Sequence, residues 1–401
     1  MNNINVFRVI DYFAGIPICF VLTILNYILG LFRSDKRPSE ERVLFVKISE
    51  MGSMILAYSA MMEVKNRLPD AEFYFLTFGR NTEGVEILGL FDKENILTIR
   101  DNSLFGFIFD VIKILVGFSG YKFTVVYDLE LFSRFSVILA YLTGAGKRIG
   151  FANYTAEGLY RGDLLTHKVQ YNTHRHIACN FLALAHATFE ELEDRPLLKR
   201  AISDAALSVP AFAFDAATIE KNKDRLAAAG FTVIVNPDAG RMLPIRNWGA
   251  ENYAEVIDQL MLRHDANIVL VGTEDAAECG DYIVRHTKGG EKLVNLIGQT
   301  RSIGDLVHVI QSGDLFLTND SGPAHFASLT DTPTIVFFGP ETPELYGPIS
   351  DNCLPLYGKF ACSPCLTAAN HRRSPCRNNL CLKAITPSQV LLEIEKRMTG
   401  Q

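Results

Sequence analysis

The stretch LFLTNDSGPAHFASL, residues 315–329, has the pattern of a strand that ends in a small polar turn and continues as a helix. An apolar run precedes the turn Asn319-Asp320-Ser321-Gly322, and Pro323 is a residue favoured at the first position of a helix. A helix that begins directly after a strand points several backbone N–H groups at one place, where its dipole adds about half a positive charge. The stretch therefore predicts a phosphate-binding turn, although an ordinary helix capped by Asp320 or Ser321 has the same pattern.

Length and composition limit what the rest of the chain can be. With 401 residues the chain is long enough for two domains, and 48% apolar with 21% charged residues is a globular composition. The net charge of −6 argues against a nucleic-acid partner, because such a protein needs a basic face.

Outward from residues 315–329, strand-like and helix-like segments alternate in both directions. Short apolar runs typical of buried strands recur from residue 43 to residue 151 and again from residue 231 to residue 338, whereas residues 154–200 show no clear strand. This alternation predicts an α/β fold of two Rossmann-like, doubly wound domains that face a cleft. We expect domains at 41–205 and 206–386, followed by a helix within 387–401.

The N-terminal segment 1–40 is predicted to attach the protein to a membrane. The residues from Tyr12 to Phe32 carry no charge, and as a helix they would reach roughly 30 Å, the thickness of a bilayer core. The basic residues after this segment favour a cytoplasmic position for the remainder of the chain. Pro17 leaves open a re-entrant or interfacial segment, and a docked helix or a cleavable signal peptide are the other interpretations.

Five ordered motifs resemble those of glycosyltransferase family 9, the heptosyltransferase-type enzymes. The motifs, which extend over roughly residues 42–390, are Lys47–Ser53, Val126–Glu130 with Arg134 and Gly144–Phe151, Asn236–Gly240 with Arg246-Asn247-Trp248, Asn319–His325 and Phe338–Thr342.

This resemblance implies a GT-B fold with the acceptor on the first domain and a nucleotide-sugar on the second. It implies inverting transfer without a catalytic cofactor, from an ADP-heptose-like nucleotide diphosphate donor to a lipid-linked or glycan acceptor such as the lipopolysaccharide core. The protein would act at the cytoplasmic face of the bacterial inner membrane. The last helix, about Pro387 to Met398, would cross back onto the first domain.

The resemblance also assigns donor-binding residues. Asp320, Ser321, Gly322, Pro323 and His325 would hold the donor diphosphate, Arg246 and Arg241 would stabilise its charge, and Glu274 would bind the ribose hydroxyls. A cation near the diphosphate would stabilise the charge that develops as the glycosidic bond breaks. The alternatives are solvated loop charges for the arginines and a first-turn helix residue for Glu274.

The catalytic base is where the chain departs from the family, because Ser53 occupies the position at which the family usually has aspartate. Glu50 is the nearest carboxylate in the same loop, and Asp128 and Glu130 are alternatives. Arg134 would contact an anionic acceptor or face solvent.

Four cysteines near the C-terminus, Cys362, Cys365, Cys376 and Cys381, have the number of ligands that a structural zinc site needs. Cys353 is a further candidate ligand. The spacing of the second pair is looser than in common zinc knuckles, so reduced thiols are the alternative.

Two other functions remain open from the sequence. A nucleotide-sugar 2-epimerase would share the donor site and need no acceptor. A non-catalytic nucleotide-sugar-binding protein would agree with the loss of the family aspartate at Ser53.

Overall fold

The computed structural model describes residues 9–30, 41–152, 154, 159–190, 195–226, 230–288 and 292–398. The chain forms two compact units, Met1–Ser208 with Ala368–His371 and Val209–Thr367 with Arg372–Gln401. Each unit is built around a six-stranded parallel sheet, so the predicted α/β fold class is confirmed.

The sheet of the first unit has the strand order β3-β2-β1-β4-β5-β6. Its strands are β1 (Arg42–Val46), β2 (Glu72–Phe78), β3 (Ile96–Ile99), β4 (Val125–Asp128), β5 (Lys147–Ala152) and β6 (His167–Gln170). The central strands are buried on both faces, and Phe45 pairs in register with Phe75 on one side and Tyr127 on the other. This two-sided burial explains why these strands appear in the sequence as continuous apolar runs.

The sheet of the second unit has the order β12-β11-β10-β7-β8-β9. In both sheets all strands are parallel, and the strand order reverses in the middle, between β1 and β4 in the first and between β10 and β7 in the second. Its strands are β7 (Thr232–Asn236), β8 (Asn267–Leu270), β9 (Leu293–Asn295), β10 (Leu315–Asn319), β11 (Thr334–Phe338) and β12 (Cys353–Tyr357). The stretch at residues 315–329 thus supplies β10 and the helix that follows it.

Helices cover the sheets of both units. They are α1 (Gly15–Gly30), α2 (Gly52–Leu56), α3 (Tyr58–Arg67), α4 (Thr82–Glu86), α5 (Leu104–Tyr121), α6 (Arg134–Leu142), α7 (Ile177–Ala187), α8 (Ala216–Leu226), α9 (Ala250–His264), α10 (Ala277–His286), α11 (Ile303–Gln311), α12 (Gly322–Ala327), α13 (Pro343–Tyr346), α14 (Leu380–Lys383) and α15 (Pro387–Met398). We expected the last helix to cross back onto the first domain. In the structure its buried residues Val390, Leu391 and Ile394 belong to the apolar core of the second unit.

The prediction of no strand in residues 154–200 was wrong, because β6 pairs with β5. This strand is short and lies at the edge of the sheet, and its sequence His-Lys-Val-Gln lacks an apolar run. The other edge strand that the sequence analysis did not identify, β12, contains Pro355, a residue that sheets accept mainly at their edges.

The N-terminal helix packs against α6 of the first unit. Asp11 accepts hydrogen bonds from the backbone N–H groups of Arg134 (3.0 Å) and Phe135 (2.8 Å), and its carboxylate pairs with the Arg134 guanidinium at 3.2 Å. Arg134 is 2% exposed and also donates from Nε to the Tyr160 carbonyl oxygen at 2.7 Å. Arg134 therefore anchors this helix and neither faces solvent nor is placed to meet an acceptor.

Among the described residues, two helices are long and apolar enough to cross a membrane, by length and composition alone. One is the N-terminal helix, Val9–Gly30, on which we based the prediction of a membrane anchor, and the other is α5. Only 11% of the residues in the N-terminal span and 17% of those in α5 are buried.

A buried histidine on the edge strand β6, His167, makes the free energy of unfolding of the first unit depend on pH. Burial lowers the pKa of His167 from 6.5 to about 4, with further lowering by the charges of Lys147 and Arg148. A depressed histidine pKa means that only the unfolded chain binds the proton between these values, so the free energy of unfolding falls as pH drops from about 6.5 to 4.

We predict that His167→Gln removes this loss, which amounts to up to about 1.4 kcal/mol per pH unit. Urea unfolding of both proteins across that pH range measures it, with the exposed His174→Gln variant as a control for replacing a histidine. Parallel stability curves for wild type and His167→Gln would contradict the assignment.

Candidate active site

The loop after β1 is held in place by the carboxylate of Glu130, which follows β4. Glu130 Oε1 accepts hydrogen bonds from the N–H groups of Ile48 and Ser49, both at 2.7 Å, and Ser49 Oγ lies within 3.0 Å of both carboxylate oxygens. The Lys47 ammonium lies 3.3 Å from Oε2, and both partners of this ion pair are buried. Since its oxygens are occupied and buried, Glu130 is suited to fix the loop and not to accept a proton from substrate.

Asp128, at the end of β4, lies in the interior of the first unit. Its side chain is 0% exposed and forms an ion pair with the buried guanidinium of Arg161. Arg161 Nε in turn donates to the carbonyl oxygen of Ser133 at 2.9 Å. Burial raises the pKa of Asp128, and the charge of Arg161 opposes this rise. A fully buried, paired carboxylate has no path to an acceptor hydroxyl, so this environment favours a structural role.

Glu50 is the loop carboxylate that remains half-buried. Its backbone adopts φ = 59°, the left-handed region that residues other than glycine seldom occupy. Strained backbone of this kind occurs preferentially at functional sites. The Glu50 carbonyl oxygen accepts hydrogen bonds from the N–H (3.0 Å) and the hydroxyl (2.7 Å) of Ser53. Ser53 therefore shapes the loop that carries Glu50.

In the second unit, the end of β10 is fixed by a buried amide. Asn319 Oδ1 accepts from the backbone N–H of Trp248 at 2.9 Å, and the Trp248 ring stacks on Phe337 of β11 at 4.3 Å. Trp248 Nε1 donates to the carbonyl oxygen of Ile385 at 2.8 Å. These contacts set the position of the segment that precedes α9 relative to the turn after β10.

The turn after β10 begins helix α12 without a side-chain cap. Ser321 is the N-cap residue, but its side chain makes no capping hydrogen bond, and its hydroxyl donates to the Asn319 carbonyl oxygen at 3.3 Å. Asp320 and Ser321 are buried, whereas Gly322 and Pro323 are half-buried. His325 lies one turn into the helix and is 8% exposed. The donor-binding residues predicted in this stretch therefore all lie at the start of α12 or one turn into it.

Arg246 reaches this turn from the segment after β7. Its Nη1 lies 3.5 Å from Asp320 Oδ2, with both side chains largely buried. Its Nε is buried and has no hydrogen-bond partner among the residues that the structure describes. A buried guanidinium with an unsatisfied N–H is unusual, because such groups are normally paired. The arrangement fits a site that binds an anion.

The two remaining predicted donor residues lie at the surface. Arg241 is 69% exposed and pairs with Asp275 at 2.9 Å. Glu274 is exposed and begins a short 3-10 helix after β8. Arg241 follows β7, the neighbour of β10 in the sheet, and Glu274 follows β8, one strand further.

Residues 115–374 match the family model for glycosyltransferase family 9 (heptosyltransferase), well over half of the chain. The chain belongs to glycosyltransferase family 9. Lipooligosaccharide heptosyltransferase 2 of Campylobacter jejuni is 28% identical over 155 residues, which cover 38% of this chain and 48% of that protein. Lipopolysaccharide heptosyltransferase 2 of Salmonella typhimurium is 30% identical over 109 residues, 27% of this chain and 31% of that protein. The chain thus spans about half the length, or less, of these curated relatives.

Solved structures match the fold over most of its length. The Escherichia coli ADP-heptose LPS heptosyltransferase II has a TM-score of 0.67 at 18% identity, covering 88% of this chain and 97% of that one. A family 9 glycosyltransferase from Veillonella parvula has a TM-score of 0.71 at 16% identity, covering 92% and 100%. The GT-B fold class expected from the sequence is therefore confirmed.

The cysteines of this family 9 chain give the zinc hypothesis no support. In the described part of the chain, no group of three or more His, Cys, Asp or Glu side chains could hold a metal ion. All four candidate cysteines and Cys353 are free thiols, and Cys362 and Cys376 are exposed. Burial raises the pKa of Cys381 on α14 and, to about 12, that of Cys353.

Sequence reasoning missed the residues that support this family 9 site from within. Glu341, in the segment after β11, is 1% exposed and forms an ion pair with Arg372 at 3.1 Å, and the Arg372 guanidinium lies 4.6 Å from the centre of the Tyr346 ring. Glu130 was considered only as an alternative catalytic base, and Asn319 only as a member of a motif. Each of these three residues is polar and lies at or near the end of a buried strand, a pattern that the sequence does show. Their partners could not be identified from the sequence, because they lie far away along the chain.

We predict that Glu130→Gln destabilises the first unit by about 3 kcal/mol, because it leaves the buried Lys47 ammonium without its counter-ion and presents an amide donor to the loop N–H groups. Urea unfolding measures the change, and faster hydrogen exchange at Ile48 and Ser49 locates it. Glu72→Gln, which breaks the partly exposed pair with Arg42, is the matched control and should cost less than about 1 kcal/mol. Equal effects of the two variants would refute the proposed role of Glu130.

Proposed function

We propose that this chain is an inverting glycosyltransferase that moves a heptose from an ADP-heptose-like donor onto the lipopolysaccharide core or a related envelope glycolipid. The names of the curated relatives and solved structures support this donor and this acceptor. The observation that carries the proposal is the anion-binding arrangement of Arg246 at the uncapped start of α12.

The donor diphosphate is proposed to bind at this turn. Backbone N–H groups at the start of α12 and the unsatisfied Nε of Arg246 provide donors of positive character at one place. Gly322 carries no side chain that would keep a phosphate from the backbone. The role of Asp320 is then to orient the guanidinium of Arg246 through their ion pair. Arg246 stabilises the negative charge that builds up on the leaving nucleoside diphosphate.

The remaining donor assignments extend from the same turn. Ser321, Pro323 and His325 shape the diphosphate turn. Glu274 would accept hydrogen bonds from the ribose hydroxyls, and Arg241 would act as an outer cation after exchanging Asp275 for phosphate. Because Arg241 is exposed, its contribution should be smaller than that of Arg246.

The acceptor is proposed to bind at the carboxyl edge of the first sheet, with Glu50 as the base. In an inverting transfer a carboxylate removes the proton of the attacking hydroxyl, and Glu50 is the half-buried carboxylate of the β1 loop. The interior position of Asp128 makes it the weaker candidate, and we propose that it holds Arg161 and the loop after β4 in place. Catalysis then needs no metal or other cofactor.

A membrane position agrees with a lipid-linked acceptor. The N-terminal helix exposes most of its apolar surface, and basic residues follow it in the sequence. We propose that the protein is attached through this helix to the cytoplasmic face of the bacterial inner membrane. No contact within the described part of the chain specifically favours an epimerase or a non-catalytic protein.

Arg246→Ala is expected to weaken binding of ADP-heptose by about 2 kcal/mol, roughly thirtyfold in Kd, because it removes a charged donor to the diphosphate. Isothermal titration calorimetry on the full chain measures this, and Arg263→Ala, which removes an exposed arginine of α9, is the control. Arg241→Ala should have a smaller effect than Arg246→Ala. If Arg246→Ala binds ADP-heptose with unchanged affinity, the donor site does not lie at this turn.

Glu50→Gln is expected to lower kcat by about a hundredfold or more while leaving the donor Kd unchanged, because the amide keeps the side-chain shape but cannot accept the proton. Transfer of heptose to purified lipopolysaccharide core acceptor measures kcat, with the exposed Glu94→Gln as control. If Glu50→Gln turns over normally, the base lies elsewhere. If wild type binds donor but shows no turnover with any acceptor, the transferase proposal fails.

A further inference from the structure

The first unit exposes a second apolar helix besides the N-terminal one. Helix α5 presents six outward residues, Leu104, Phe105, Ile108, Phe109, Ile112 and Val116, of which Phe105 is 88% and Val116 72% exposed. Their spacing places all six on one face of the helix. The opposite face, with Ile114 and Phe118, packs in the core of the unit. A helix that is apolar on both its inner and its outer face needs an apolar environment on the outside as well.

The two apolar helices meet at the first turn of α6. The backbone N–H of Phe135 donates to Asp11 of the N-terminal helix, and the Phe135 ring lies 5.3 Å from the ring of Phe107 on α5. The exposed residues of the N-terminal helix include Phe13, Phe20 and Tyr27. Together the two helices form an apolar surface on the first unit.

The N-terminal helix is tied to the unit near both of its ends, which sets its orientation. Near its start, Asp11 forms the buried pair with Arg134. Near its end, Thr23 Oγ1 accepts from the N–H of Asp163 at 2.8 Å, and Asn26 Nδ2 donates to the Asp163 carbonyl oxygen at 3.1 Å. A helix fixed along a folded unit in this way presents one side to a membrane and cannot be surrounded by lipid.

The charges around this surface match an anionic membrane. Both acidic residues of the two helices are paired: Asp11 with Arg134, and Asp110, 13% exposed, with Arg100. The basic residues Lys113 and Lys122 at the border of α5 are exposed. Apolar side chains bordered by lysine and arginine are typical of surfaces that lie in the interface of a bilayer. Protein–protein interfaces are depleted of lysine, so these lysines favour an anionic leaflet over a protein partner.

We propose that α5 and the N-terminal helix form one membrane-binding surface, and that the N-terminal helix lies in the plane of the bilayer interface. The occupant is the headgroup and upper acyl region of an anionic leaflet. This inference rests on the membrane attachment in the proposed function and adds a second element and an orientation to it.

Flotation of the full chain with vesicles tests the role of α5. Wild type is expected to bind vesicles of phosphatidylethanolamine and phosphatidylglycerol, and to bind phosphatidylcholine vesicles more weakly. The double variant F105E/V116E should lose about tenfold or more in partition coefficient, since acidic groups replace apolar contacts at an anionic surface. The control L262E/L392E makes the same change at exposed leucines of the second unit and should bind like wild type. Equal binding of F105E/V116E and wild type would overturn the role of α5.

Tryptophans introduced one at a time measure how deeply the two helices enter the bilayer and how the N-terminal helix is oriented. The native Trp248 is 1% exposed and therefore gives a constant background. The variants Phe105→Trp and Phe20→Trp should be quenched by lipids brominated near the headgroup and less by lipids brominated near the chain ends. Stronger quenching of Phe20→Trp by the deep quencher would show a spanning helix, because Phe20 lies near the middle of the N-terminal helix, and would overturn the in-plane orientation. Dimerisation in light scattering, lost in F105E/V116E and without any quenching, would assign the surface to a second copy and overturn the proposal.

The proposed transferase activity can be tested independently of the proposed membrane-binding surface. Transfer to a soluble, delipidated acceptor should be the same in F105E/V116E as in wild type, because neither residue belongs to the donor or acceptor site. If no transfer occurs while the tryptophan variants are quenched by brominated lipids as expected, the transferase proposal is refuted and the membrane-binding surface is not.

Discussion

The reversal of strand order in the middle of each sheet is the constraint on which the candidate site depends. Between β1 and β4, and again between β7 and β10, neighbouring parallel strands send their following segments to opposite sides of the sheet. The crevice that results at each carboxyl edge would expose backbone groups unless a polar side chain satisfied them. Glu130 meets that requirement in the first unit, and Asn319 meets it in the second.

These two residues fix the backbone beside the groups that we propose for binding and catalysis. Glu130 neutralises Lys47 and accepts the loop N–H groups, so the loop is rigid enough to hold Glu50 at positive φ. Asn319 fixes the backbone of Trp248, two residues after Arg246, whose Nε has no partner among the described residues. In each unit the strained or unsatisfied group, Glu50 or Arg246, lies close to the residue that fixes the backbone. That position is what preorganisation of a binding site requires.

The sequence predicted the features that follow from local pattern and missed those that follow from distant contacts. The turn at Asp320 was predictable because strand, turn and helix signals succeed one another there. The edge strand β6 was not, because an edge strand needs no apolar run. The pairing of Arg134 with Asp11 could not be predicted either, since these residues are 123 positions apart. Apolar periodicity also could not tell which face of α5 is buried, since its packed face and its exposed face are both apolar.

The first turn of α6 connects these distant features within the first unit. Arg134 at this turn binds Asp11 of the N-terminal helix, while the carbonyl of the preceding Ser133 accepts from Arg161, the partner of Asp128 at the end of β4. Buried ion pairs of this kind tolerate little displacement, because separating them leaves an uncompensated charge in the interior. The apolar helices and the segment after β4 are therefore held at a fixed spacing. An enzyme that acts on a lipid-linked acceptor needs such a fixed spacing, because the distance from the bilayer to the reacting hydroxyl is set by the acceptor. The in-plane N-terminal helix that we propose would meet the same requirement.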